Sequence, residues 1–155
     1  MTAASAGILL YHCLEGRLLV LLVHPGGPFW RHRDLGAWSI PKGERRPGED
    51  GEAAARREFA EELGDQPSGA LQPIGAIKQR GGKHVEAFAL EGDFDVAGVR
   101  SNTFQISWPP GSGRTASFPE IDRAAWFTLP AAREKILASQ APLLDRLEQL
   151  CADRR

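Results

Sequence analysis

Between Gly43 and Gly64 the chain reads Gly43-Glu-Arg-Arg-Pro-Gly-Glu49-Asp-Gly-Glu-Ala-Ala-Ala-Arg-Arg57-Glu58-Phe59-Ala-Glu61-Glu62-Leu-Gly64. Glu58, Glu61 and Glu62 stand at i, i+3 and i+4, so on a helix they share one face. Two carboxylates about 4 Å apart repel by roughly 4 kcal/mol at an effective dielectric of about 20, and such a face calls for a cation. Clustered carboxylate oxygens suit the hard ions Mg2+ and Mn2+. Mg2+ in particular keeps several waters and bridges to substrate phosphate rather than filling a closed protein cage. A fourth carboxylate, Glu49, stands just ahead of the acidic run. The plain alternative is a solvated helix whose Glu and Arg residues pair at i, i+4. The full pattern around the acids, rather than the acids alone, argues against it.

The residues around the acids explain why a helix should present them. Pro47-Gly48 makes a turn, Asp50 suits the N-cap, and Glu52-Ala-Ala-Ala-Arg-Arg-Glu is rich in helix formers with Glu near the positive end of the dipole. Gly64 fits the C′ position, and Phe59 and Leu63, four apart, form an apolar edge for docking.

The spacing is Gly, five residues, Glu, seven residues, Arg-Glu, an apolar residue, one residue, Glu-Glu, one residue, Gly. It resembles the signature of the Nudix hydrolases, the MutT-like pyrophosphohydrolases, with Gly43, Glu49, Arg57, Glu58, Phe59, Glu61, Glu62 and Gly64 each in the matching place. Asp65 departs from it where an apolar residue is expected. That position packs the following loop, so the departure concerns local packing and leaves the metal site intact.

The resemblance implies that Glu58, Glu61 and Glu62 bind the divalent ions and that the main-chain carbonyl of Lys42 is a further ligand. Glu49 then helps through water or assists the base, and Arg57 holds a neighbouring carboxylate in position. The reaction such a site suits is attack of water on a phosphorus of a diphosphate bond, with metal-bound phosphates and a carboxylate taking the proton. Glu61 or Glu62 is the expected base. An acid from outside the helix is the rival, Glu86 being preferred to Glu120.

Phosphate contacts are expected from Lys42, next to the metal loop, and from Arg31 and Arg33 with His32. A third basic group is Lys78, Arg80, Lys83 and His84 around Gly81-Gly82. Phe29 or Trp30 could stack a base, whereas Trp38 and Trp126 read as core and His12 and His24 as structural. The stretch Trp38-Ser-Ile-Pro-Lys42-Gly43-Glu44 resembles Nudix branches acting on dinucleoside polyphosphates and diphosphoinositol phosphates, and Phe118 to Phe127 resembles a late segment of the same set. The resulting expectation is a nucleotide polyphosphate substrate, either a dinucleoside polyphosphate or a nucleoside triphosphate. Nucleotide sugars and inositol diphosphates stay as alternatives, as does a sensing module that binds without turnover. A diphosphate isomerase is disfavoured because neither Cys13 nor Cys151 lies near the signature.

The elements that must position this site follow from pattern. Ala6 to Leu14 and Arg17 to His24 form a hairpin at Glu15-Gly16, and a breaker-rich loop leads to a short strand at Trp38 to Ile40. Leu71 to Gln79 and His84 to Leu90 turn at Gly81-Gly82, with further strands at Phe104 to Trp108 and Ala124 to Phe127. Helices are expected over Ala131 to Ser139 and over about 142–152, where Leu143, Leu144, Leu147 and Leu150 recur at helical spacing. This order is α/β with a mixed sheet. The resemblance adds a Nudix-type α/β/α sandwich, read as a single domain over 1–155.

Composition sets bounds that agree. A chain of 155 residues, 42% hydrophobic and 25% charged, is one ordinary globular domain's worth, and a net charge of -1 gives no broad capture of nucleic acid polymers. Cys13 and Cys151 have no metal-ligand spacing and read as idle thiols in a reducing compartment. The N-terminus lacks a basic signal start and the apolar run Leu18 to Val23 is too short to span a bilayer. The expectation is a cytoplasmic monomer or homodimer with a small-molecule partner and no membrane association.

Overall fold

A computed structural model describes residues 4–79 and 81–153. The order is β1 (Ala4–Leu14), β2 (Arg17–Pro25), β3 (Lys42–Glu44), α1 (Gly51–Leu63), β4 (Gln72–Lys78), β5 (His84–Glu91), β6 (Thr103–Ser107), β7 (Thr115–Pro119), β8 (Ile121–Thr128), α2 (Leu129–Lys135) and α3 (Ala141–Asp153). The main sheet runs β4-β5-β1-β2-β8, with β3 pairing the start of β1 on the side where β2 pairs its end. β1 and β5 are parallel and the other pairs antiparallel, so the sheet is mixed.

Both faces of β1 are buried, which is why it reads as an unbroken apolar run. Ala6, Ile8 and Leu10 join Phe88 and Leu90 of β5 against Ala54, Ala55, Phe59 and Leu63 of α1. Leu9 and Tyr11 point the other way, with Val85 and Ala87, against Leu129, Ala132, Leu143, Leu144 and Leu147 of α2 and α3. The period of two in the strands thus sorts two cores, and the result is an α/β/α sandwich.

The expected strand at Trp38 to Ile40 is displaced. Ser39 exchanges backbone bonds with Val23 at 2.8 and 3.0 Å, but Ile40 N–H goes to the side-chain oxygen of Gln140 at 3.0 Å and Pro41 has no N–H for a ladder. Pairing with β1 resumes only at Lys42. The expected helix from Ala131 to Ser139 instead starts at Leu129 and ends at Lys135, because Ile136 turns extended and bridges to Trp38. β7 was not expected from its mixed composition; it completes a hairpin with β6 that stands apart from the main sheet. Gly81 and Gly82 both take positive φ, 90° and 85°, as the tight turn between β4 and β5 requires.

Candidate active site

Helix α1 begins and ends as its composition dictates. Asp50 Oδ1 accepts from Ala53 N–H at 2.7 Å, and Gly64 adopts φ 83° while its N–H donates to the Ala60 carbonyl at 2.8 Å. Asp65, the one mismatch to the signature, is solvent-exposed beyond this cap, so its charge is hydrated. With Phe59 and Leu63 docked on the sheet, Glu58 and Glu62 are carried against β3. A methyl group on Gly43 would lie 2.1 Å from the Glu58 carboxyl carbon, so only glycine leaves room for that carboxylate. Lys42 meets Glu62 through its N–H, which donates to Oε1 at 3.3 Å.

Arg57 is the organising cation. Its Nε and Nη2 donate to the two oxygens of Glu49 at 2.8 and 2.9 Å, Nη1 donates to Glu58 at 2.8 Å and to Glu61 at 3.1 Å, and Nη2 also reaches the Glu44 carbonyl at 2.9 Å. This is far more than an i, i+4 helix pair: one guanidinium fork ties three acids to the loop before the helix. The Arg57 bonds, followed by the Arg46 N–H, pull the Glu49 carboxyl down to about 2. Arg46 adds a longer contact to Glu61 at 3.4 Å.

Glu62 is only 9% exposed, and burial pushes its carboxyl up to about 8, against the pull of Lys42 and with a further push from Glu58. Burial in turn lowers the proton affinity of the Lys42 ammonium, which Glu62 partly restores. The native pKa of Glu62 lies above the ordinary 4.5, so across pH 4.5 to 8 the native state holds a proton that the unfolded chain has lost. This group's stabilisation is complete below pH 4.5 and is lost as pH rises to 8. Metal binding at pH 7 should therefore release about one proton. Titration calorimetry in buffers of different ionisation enthalpy measures this, and a proton count of zero would refute it.

Among the described residues, no three His, Cys, Asp or Glu side chains are gathered closely enough to hold an ion. Glu58 and Glu61 are turned to the shared Arg57 Nη1, and Glu62 to Lys42 N–H. The donors are nonetheless of the kind a hard divalent cation takes. They are carboxylate oxygens, one of them buried where only a proton or another cation relieves its charge, beside a glycine cradle.

The remaining candidates are placed unequally. Glu86 lies against Gly51, where a methyl group would meet its Oε2 at 2.3 Å, two helical turns from Glu58. Glu120 is the acid whose charge is felt in the cluster: burial, then Glu58 and Glu61, raise its own proton affinity, and it in turn raises that of Glu62. Of the two, Glu120 is the one coupled electrostatically to the helix acids. Sequence pattern could not find this, because Glu120 reaches α1 through the connection between β7 and β8.

Lys83 pairs with Glu44 at 3.2 Å and its charge reaches Lys42. Lys78 and His84 are exposed register partners at the ends of β4 and β5, and Arg80 lies outside the described residues. Arg31 is exposed, and the Arg33 guanidinium lies 5.4 Å over the Trp30 ring. Both ring nitrogens of His24 are engaged, by the Arg33 carbonyl at 2.6 Å and Asp122 at 2.8 Å, and His12 packs at a tilt against Trp126 with ring centroids 4.3 Å apart, so each is held within the fold. A cavity of about 240 Å³ opens between Val23, Trp30, Ile40, Lys42, Glu62 and Glu120. Cys13 and Cys151 line a separate cavity with Leu18, Leu129 and Glu148.

A family model described as the NUDIX domain matches residues 1–147. No curated protein sequence matches the chain. Among solved structures, a C. elegans Ap4A hydrolase binary complex is 24% identical, covering 96% of this chain and 98% of that chain at a TM-score of 0.67. The NUDIX domain of Shewanella oneidensis NrtR complexed with ADP ribose is 16% identical, covering 97% and 89% at 0.66. The MutT protein from Methanosarcina mazei Go1 is 21% identical, covering 96% and 94% at 0.61. At these identities the likeness is one of fold.

Proposed function

The chain belongs to the Nudix family and is a hydrolase, and from that premise we propose that it cleaves the diphosphate linkage of a nucleotide polyphosphate with the help of Mg2+ or Mn2+. The observation that carries this reading is Glu62, a buried carboxylate held neutral-leaning beside Glu58, Glu61 and the half-buried Lys42. Glu58, Glu61 and Glu62 would hold the metal, with the Lys42 carbonyl as a further ligand. When bound, the metal neutralises phosphate charge and acidifies a coordinated water.

The chain's own groups do the rest. Water oxygen bonds to phosphorus as the bridging P–O bond breaks, the bridging oxygen leaves with the second phosphate, and the water proton passes to a carboxylate. We assign Glu120 to that role, because its proton affinity is raised while its side chain keeps access to solvent, and among the described residues no ion pair engages it. Lys42 contacts phosphate from inside the cavity, and Arg31, Arg33 and Lys83 are the further cations assigned to phosphate. Arg57 orients the metal ligands. Glu120→Gln should lower kcat by about 10²-fold while metal affinity, read by calorimetry, changes little; an unchanged kcat would return the base to Glu61 or Glu62.

A dinucleoside polyphosphate or nucleoside triphosphate fits best. The extra cation at Lys42 suits a long anion, and the similar structures include an Ap4A hydrolase and a MutT protein. Among the described residues no helix is long and apolar enough to cross a membrane, and the reading places the protein in the cytoplasm as a monomer or homodimer. The test is incubation with Mg2+ and a panel of dinucleoside polyphosphates, nucleoside triphosphates, nucleotide sugars and dinucleotide cofactors, with products separated by chromatography. Two phosphorylated products are expected; no cleavage of any member by folded, metal-binding protein would sink the reading.

A further inference from the structure

The central strand β1 meets a different cavity at each end. At its start Gly7 pairs with Lys42, which lines the cavity beside the acids. Six residues on, roughly 20 Å away at about 3.3 Å per residue, Cys13 lines a second cavity of about 530 Å³ with Arg17, Leu18, Leu129, Pro130 and Cys151. The strand period puts Cys13 on the face of Leu9 and Tyr11, toward α2 and α3, and Cys151 stands four residues after Leu147 on the docking face of α3. The cavity is thus the space left between the β1–β2 hairpin and the two helices, and its volume is that of a small-molecule site.

Its lining has a distinct chemistry. Leu18, Leu129, Pro130 and Ala152 supply aliphatic surface. Glu148 is engaged by Arg133 at 3.1 Å, whereas Arg17 makes no ion pair among the described residues and is exposed, which places it at the mouth. An apolar interior beneath one uncommitted guanidinium suits a ligand with an apolar body and a single acidic group, whose body leaves water while its charge stays at the rim.

Both helices that close this cavity reach the segment that carries Lys42. α2 begins at the cavity with Leu129 and Pro130. At its other end the Lys135 carbonyl accepts from Trp38 N–H at 2.9 Å, and Leu137 N–H donates to the Trp38 carbonyl at 2.8 Å. α3 ends at the cavity with Glu148, Cys151 and Ala152. Just before its start, the fully buried Gln140 accepts from Ile40 N–H at 3.0 Å and donates to Ser39 Oγ at 2.9 Å and Gln79 Oε1 at 3.2 Å. Arg133 of α2 bonds Asp145 and Glu148 of α3, tying the helices to each other. Each helix is a hydrogen-bonded rod, so a displacement at the cavity is carried to residues 38–40, just ahead of Lys42.

We propose that this cavity is an effector site for a small apolar monocarboxylate, which acts through α2 and α3 on residues 38–42. The site stands by itself; its effect on turnover rests on the pyrophosphohydrolase reading. Occupation fixes the helix ends and steadies Ile40 against Gln140, so the ligand and a phosphate at Lys42 favour the same arrangement and each tightens the other.

The probe is octanoate, with octanol as its uncharged counterpart, and the first readout is alkylation of Cys13 by iodoacetamide, followed by peptide mass. At ten times its dissociation constant octanoate should slow labelling of wild type about tenfold, and octanol should do so far less. Arg17→Gln should weaken octanoate binding about tenfold, since a charge-assisted contact is lost. Ala152→Phe, which fills the cavity from an exposed helix position, should abolish protection and keep basal activity. Hydrogen exchange at Ile40 N–H should slow about fivefold with octanoate, and KM for diadenosine tetraphosphate should fall by about the same factor. Gln140→Met should keep the protection of Cys13 and lose both distant effects.

The proposal is overturned if octanoate leaves Cys13 labelling unchanged, if octanol protects as well, or if Arg17→Gln binds octanoate like wild type. It is equally overturned if the response at Ile40 is absent from wild type or intact in Gln140→Met, or if KM of active enzyme does not move. Cys13 already shielded in a dimer of the free protein, seen by gel filtration, would overturn it by making the cavity a protein contact. If wild type cleaves nothing, the hydrolase reading fails, and protection of Cys13 with slowed exchange at Ile40 still supports the effector site.

Discussion

Glu62→Gln is expected to lower kcat/KM by about 10³-fold or more while leaving the protein folded, because the charge it removes is needed only when a cation is bound. The amide retains an oxygen for Lys42 N–H at the site where Oε1 now accepts at 3.3 Å. Without metal, wild type carries a buried carboxyl near pKa 8, so its stability falls between pH 4.5 and 8; the amide has no proton to lose. Thermal unfolding in a chelator from pH 5 to 8 should show a declining Tm for wild type and a flatter profile for the variant. Calorimetry should show weakened metal binding and no proton release from this position. Full activity in the variant, or a collapsed fold at pH 5, would contradict the role assigned to Glu62.

Arg57→Ala should be the most destabilising single change at the site. Arg57 is 18% exposed and serves three carboxylates and a carbonyl, so its removal leaves Glu49, Glu58 and Glu61 repelling one another in a partly buried setting. A cost of about 3 kcal/mol is expected, together with about 10²-fold in kcat/KM from misplaced ligands. Arg57→Lys should not restore either, because an ammonium cannot span the Glu49 and Glu58 bonds at once. Saturating Mg2+ should narrow the gap in urea midpoint between wild type and Arg57→Ala, since the ion supplies part of the missing positive charge.

The acid limb provides a second signature of the same residue. Glu49 has a native pKa of about 2 against an ordinary 4.5, so its contribution is complete above pH 4.5 and is lost as pH falls toward 2. In Arg57→Ala that acid-induced loss should flatten. An unchanged urea midpoint in Arg57→Ala, or a gap indifferent to Mg2+, would show that the fork is decorative.

Much of this site is local chemistry. The helix boundaries at Asp50 and Gly64, the docking edge of Phe59 and Leu63, and the acidic face of Glu58, Glu61 and Glu62 all depend on residues within a few positions of one another. The hairpin of β1 and β2, the Gly81-Gly82 turn and the Leu stripe of α3 are equally local, set by turn chemistry and periodicity. These were legible in the order of residues. The strand at Trp38 to Ile40 was misplaced because Ile40 N–H binds Gln140, a hundred residues away, and α2 ended early because Ile136 is claimed by Trp38.

What only the tertiary structure decided is the other side of the site. Glu120 comes near the helix acids because the β7–β8 connection folds back to α1 through Asn102, whereas Glu86 lies against Gly51 at the far start of the helix. Arg57 binds Glu49 and Glu44 as well as its helix neighbours because Pro47-Gly48 folds the loop back on the helix. Phe29 meets Trp108 across nearly eighty residues of chain. Local spacing determines which residues share a helix face and hence that carboxylates are concentrated and need a cation. Which distant acid or cation joins them depends on strand pairing and packing between segments far apart in the chain, for which no sequence period exists.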